Sequence, residues 1–89
     1  MKAIVTVVGI DRVGIIGEIC TTLASLQINI VDISQTVMQN YFTMIMMVDT
    51  STSAKTLDEI SETLRRKEQE MGLSIRIQRE DIFQAMHRI

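Results

Sequence analysis

Proline and tryptophan are absent from this 89-residue chain, and cysteine occurs once, at Cys20. Without proline, the turns must rely on glycine, asparagine and serine, which tolerate tight backbone geometry by other means. A single cysteine excludes an internal disulfide and any CxxC metal or redox pair. Aromatic residues make up 3% of the chain against 46% hydrophobic overall, so Ile, Val, Leu and Met must fill the core. A sheet that stacks RNA bases needs more rings than that. Basic charge is scarce as well. Nine Lys and Arg face eleven Asp and Glu, a net charge of −2, which argues against a nucleic-acid partner whose phosphates need neutralising. No apolar run reaches the ~18 residues of a membrane span. The opening Met1-Lys2-Ala3 shows no basic-then-apolar leader, so the expected location is the cytoplasm, with no membrane partner.

What is present suits one small domain. A chain of this length buries only about 60% of its unfolded surface, which leaves a marginal core. Seven methionines supply adaptable packing, and pairing with a second copy would add burial. Residues 3–8 are apolar except for Thr6 and predict a strand buried on both faces. Gly9 to Gly14 reads as a loop. Ile16, Ile19, Cys20 and Leu23 then recur at helical spacing, in a helix ending around Gln27. From Asn29 the period becomes two: Val31, Ile33 and Val37 alternate with Asp32, Ser34 and Thr36, the pattern of a half-buried strand. Gln39-Asn40 makes a tight turn, with Asn40 the better candidate for positive φ. A second two-faced apolar strand covers 41–48. Ser51, Thr52 and Ser53 are N-cap candidates for a second helix carrying Leu57, Ile60, Leu64 and Met71. A Glu62–Arg66 pair supports that helix, and Gly72 ends it. Ile75 and Ile77 alternate with polar residues in a last strand, and 80–89 can form a short helix bearing Ile82, Phe83, Met86 and Ile89.

The predicted fold is therefore α+β: a ferredoxin-like βαββαβ sandwich, a four-stranded antiparallel sheet with two helices on one face and a short C-terminal helix. Residues 1–79 form the domain and 80–89 a helical tail. Strands one and three, apolar on both sides, belong in the centre, and the alternating strands two and four at the edges. Two helices cover only one face of the sheet. The tail or a second subunit must cover the apolar residues on the other.

The Gly-bounded loop leads from a buried strand into a helix start, where the first N–H groups lack intrahelical partners and the dipole favours an anion. A carboxylate can dock on the amides around Gly14 and Ile15, while Asp11 accepts from an ammonium group beside it. That is a niche for a zwitterion. The run Val8-Gly9-Ile10-Asp11-Arg12-Val13-Gly14-Ile15-Ile16, followed by Ile28-Asn29-Ile30, resembles the ACT domain signature, a G-x-D-R-x-G-[IL] loop, a helix and an Asn-Ile strand start. The likeness spans Lys2 to Arg79 and is similar to short bacterial proteins made of one ACT domain. It implies regulation by a small molecule, usually an amino acid, bound between subunits of a homodimer or higher homo-oligomer. The first loop of one copy then faces the second strand of another. By position, the ligand-binding residues it implies are Gly9, Asp11, Arg12, Gly14, Ile15, Asn29 and Ile30. Many members have proline where Val13 stands, which leaves this loop less rigid.

Plainer roles compete. The glycines can serve backbone geometry alone, Asp11 the helix start, Asn29 a turn and Arg12 the surface. Cys20 lies on the helical stripe as core, and His87 has no partner at metal-ligand spacing. Neither a metal nor a cofactor is expected. Acylphosphatase-like catalysis would find Arg12 and Asn29 of the right types, but Asp11 puts negative charge where a phosphate must sit. The chain is expected not to be an enzyme. A regulatory binding module, acting on its own or on an unknown protein target, and a ligand-free interaction module both remain open.

Overall fold

The computed structural model describes residues 1–81, and the expected tail helix lies outside the described residues from position 82 onward. The elements are β1 (Lys2–Ile10), α1 (Ile15–Ser25), β2 (Asn29–Met38), β3 (Tyr41–Asp49), α2 (Leu57–Met71) and β4 (Ser74–Arg79). They give one four-stranded antiparallel sheet in the order β2-β3-β1-β4, the ferredoxin-like arrangement expected. Ala3, Val5 and Val7 pair in register with Val48, Met46 and Met44, and all six are fully buried. Ile15, Ile19 and Leu23 of α1 and Ile60 and Leu64 of α2 complete the same cluster, so both helices cover one face. Each such side chain contributes about 1.5–3 kcal/mol through burial. No helix among the described residues is long and apolar enough to cross a membrane.

β1 runs further than its apolar pattern predicts. Gly9 and Ile10 are strand residues paired with Phe42 and Tyr41, not part of the loop. A Cβ at Gly9 would collide with Cδ2 of Leu73, so the absent side chain lets Leu73 close over the strand. β1 is also not buried evenly on both faces. On the face away from the helices Ile4 is 6% exposed, whereas Val8 and Ile10 reach 41% and 59%.

β2 departs most from expectation. Ile33 and Val37 pair with Met46 and Phe42 and so lie on the helix side, yet every residue from Val31 to Met38 is exposed and only Ile30 is half-buried. The helices sit over the other strands, leaving this edge uncovered. The register shift between Ile30 and Asp32 leaves Val31 in a bulge, which further detaches the edge.

The element ends have clear local causes. α1 stops at Ser25, two residues earlier than expected, in a Schellman motif: Gln27 takes φ 59°, its N–H donates to Ala24, and that of Ile28 donates to Leu23. At the β2–β3 hairpin Gln39, not Asn40, takes positive φ. The cap of α2 is Thr56, not Ser51 to Ser53. Its hydroxyl accepts from the Glu59 N–H while the Glu59 carboxylate accepts from the Thr56 N–H, a full capping box. Gly72 ends the helix as expected, at φ 67°. Glu62 meets Arg65 rather than Arg66, one residue short of the expected spacing.

Candidate functional site

The connection between β1 and α1 has shrunk to four residues, Asp11 to Gly14, all exposed. Its two ends are tied down. The Asp11 N–H donates to the Asn40 carbonyl at 2.8 Å, and the Arg12 guanidinium donates to the Met71 carbonyl at 3.4 Å. Arg12 thus reaches the C-terminus of α2, where a cation suits the helix dipole. Between these anchors Val13 stands 99% exposed.

Gly14 turns the chain into α1 at φ 94°, a left-handed conformation that favours glycine. It supplies no side-chain cap to the helix, so the amides at the start of α1 have no hydroxyl or carboxylate of the Ncap residue to receive them. Glu18 is the acidic residue of the first turn, and its N–H is already paired with the Gly14 carbonyl. Ile15, expected to border a ligand, sends its side chain into the core at 2% exposure. Gly9 likewise borders Leu73 and the sheet rather than the loop.

Asn29 and Ile30 lie elsewhere. Asn29 opens β2 opposite Asp49, which in turn faces Lys2, while the loop follows the row formed by Ile10, Tyr41 and Met38. Eight residue steps of β3 separate these rows, roughly 27 Å at strand rise. A single chain therefore keeps Asp11 and Asn29 at opposite ends of its sheet. Ile30 packs against the core from the Asn29 end. Hydrogen bonds from the Ser51 N–H and hydroxyl hold the Asp49 carboxyl below its usual range, with the nearby terminal ammonium adding to the effect. Asp49 is thus held ionised beside the terminal ammonium at 3.5 Å, with Lys2 in register with it.

Sequence reading did not single out the apolar edge beside the loop. Val31, Ile33, Val37 and Met38 of β2, with Ile10 and Tyr41, are all exposed, and Met38 is 70% so. The signal was present in the alternation, but alternation does not say whether a second layer exists to cover the apolar side. Among the described residues no cluster of three metal-ligating side chains occurs.

The two-layer βαββαβ sandwich with its tight first loop is one architecture shared by many small domains, and comparison with known proteins gives the family. The sequence matches the ACT domain family over residues 2–78. A UPF0237 protein of Clostridium acetobutylicum is 52% identical over 89 residues, the whole of both chains. An ACT domain protein from Streptococcus pneumoniae superposes with a TM-score of 0.82 at 40% identity, covering 93% of each chain. The regulatory subunit of aspartate kinase from Thermus thermophilus, in its ligand-free form, gives a TM-score of 0.68 at 24% identity over 86% of this chain and 50% of that one, a likeness of fold alone. This chain belongs to the ACT domain family, a family of regulatory modules.

Proposed function

We propose that the protein is a stand-alone, non-catalytic regulatory module that binds a zwitterionic small molecule, an amino acid, between two copies of itself in the cytoplasm. The observation that carries this reading is the separation of Asp11 and Asn29 to opposite ends of one sheet. If two β2 edges pair antiparallel about a two-fold axis, the partner's Asn29 comes to the end of the joined sheet that bears Asp11. Three strand spacings, about 14 Å, then separate the first chain's β1 from the partner's β2. The exposed apolar side chains of β2 favour such pairing, because an open edge strand is a ready template for another strand. Within the niche, amides of Gly14 and Ile15 receive the ligand carboxylate and Asp11 its ammonium group. Asp11 also disfavours the acyl-phosphate chemistry of some proteins sharing this topology. The bound state reaches other components through a protein target or through the oligomeric state.

A thermal-shift screen against the twenty amino acids, with solution mass measured in parallel, tests the proposal. Ligand at 100 times its dissociation constant adds about 2.7 kcal/mol of stability, which for a domain of this size raises Tm by several degrees or more. Asp11→Asn should erase that shift and leave the unliganded Tm unchanged. A hit that survives this change removes Asp11 from the site. A dimer with no hit favours the second reading, a ligand-free protein-interaction module that uses the same β2 edge. A strict monomer sinks the first reading.

A further inference from the structure

The sheet ends in two edge strands, β2 and β4, and their backbones are not equally available. In an antiparallel pair a residue turns its N–H and C=O both toward the partner or both away, and the direction alternates along the strand. On β4 the Ile75 N–H donates at 2.7 Å to Oε2 of Glu68, a residue of the last turn of α2. Ile75 therefore faces away from β1, and Ile77, two residues on, faces the same side. The Glu68 carboxylate fills the place that the carbonyl of a pairing strand would take. Because β4 has six residues, one filled position removes much of its pairing edge.

Glu68 is held there from its backbone as well. Its carbonyl accepts from the Gly72 and Leu73 N–H groups at 2.9 and 3.2 Å, and the residue is half-buried. A carboxylate in the last turn of a helix opposes the dipole, which favours a cation. α2 nevertheless has no basic residue of its own in that turn. Helix electrostatics thus do not account for an acid at this position, whereas its contact with the strand edge does.

β2 is guarded more lightly. There the Ile33 N–H donates at 2.8 Å to the carboxylate of its neighbour Asp32, and both residues are exposed. That side chain belongs to the strand itself and comes from no packed helix. By the same alternation Gln35 and Val37 also face outward, beyond Asp32 on the way to the hairpin.

We infer that Glu68 decides which edge assembles: by occupying the Ile75 N–H it bars β4 from pairing with β4 of a second copy. A second copy is the partner an edge strand meets most readily, since antiparallel pairing about a two-fold axis sets the same edge against itself. The closure of β4 stands alone; the complementary choice of β2 rests on the function proposed above.

Two variants of the full-length protein, Glu68→Ala and Glu68→Ser, withdraw the acceptor from Ile75, and Glu68→Gln keeps one at the same reach. In sedimentation velocity over a concentration series, the two short variants should gain one association step beyond the wild type, while Glu68→Gln follows the wild type. From a dimeric wild type that step leads to larger, chain-like assemblies. From a monomeric one it leads to a dimer, an outcome that removes the β2 dimer and keeps the closure of β4. Amide exchange locates the new contact, and at Ile77 it should slow several-fold as the short variants associate. Wild-type mass with a lowered Tm in both short variants overturns the inference, since Glu68 then only fastens the turn between α2 and β4. So does association that leaves exchange at Ile77 unchanged, or a Glu68→Gln protein that associates as the short variants do.

Discussion

The two helices begin in opposite ways. α2 starts from Thr56 and Glu59, which satisfy each other's backbone groups and close the helix end with the chain's own side chains. α1 starts from Gly14, which has no side chain to give, at the end of a loop whose four residues, Asp11 to Gly14, are exposed. A glycine in place of a capping Ser, Thr or Asp forgoes a few tenths of a kcal/mol, so something else must help to hold α1 in place. Packing does so: the first residue after the turn, Ile15, is a core residue. The chain thus secures the start of α1 from beneath, through Ile15, and without a side-chain cap.

This contrast can be broken experimentally. If α1 is held by packing, Ile15→Ala should cost the most, in the range of about 2–5 kcal/mol for a large-to-small core change, read from urea denaturation. A loss below that of the α2 cap would contradict the account. Gly14→Ala comes next, at about 1–2 kcal/mol, because an added Cβ has open space around it but must adopt a left-handed backbone. A neutral outcome would mean the turn relaxes to another conformation. Thr56→Ala should lose about 1 kcal/mol and fray α2 alone, seen as faster amide exchange at Asp58 and Glu59 with α1 unaffected.

The smallest effect is electrostatic. The Thr56 backbone N–H, hydrogen-bonded to the Glu59 carboxylate, lowers the pKa of that group below its ordinary 4.5, with the Thr56 side chain assisting. A depressed folded-state pKa means that the unfolded chain takes up the proton first. The contribution of Glu59 is therefore complete above about pH 4.5 and is lost as pH falls through the lower folded value. Glu59→Gln should flatten the fall of Tm with acidification in that window. Parallel curves for the two proteins would show that the carboxylate is not coupled to folding.

Much of this architecture was legible because the period of the hydrophobic pattern changes with the element. Phe42, Met44, Met46 and Val48 predict one buried face of β3, and all four are buried. The placement of β1 and β3 at the centre followed from apolar residues on both sides. The failures share a physical origin, since each required knowing a neighbour. Alternation in β2 was read as half-burial, but nothing in Val31 to Val37 reveals that both helices lie over other strands. Gly9 looked like loop because its contact, Leu73, lies far along the chain. The α2 cap was discoverable: Thr56-Leu57-Asp58-Glu59 has the spacing of a capping box, and three earlier hydroxyl residues distracted from it. At the candidate site, sequence supplied the loop and Asn29 but not their separation, which emerges only when strand order and direction are combined.

The methionines hold a last consequence. Met44 and Met46 are sealed in the core while Met38 stands at the end of the open edge, so an oxidant meets these thioethers in very different order. Sulfoxide formation follows access and turns an apolar side chain polar. Mild peroxide should mark Met38 long before the interior pair. Because that mark falls on the exposed edge strand, an oxidant would alter the surface of β2 first and spare the folded interior.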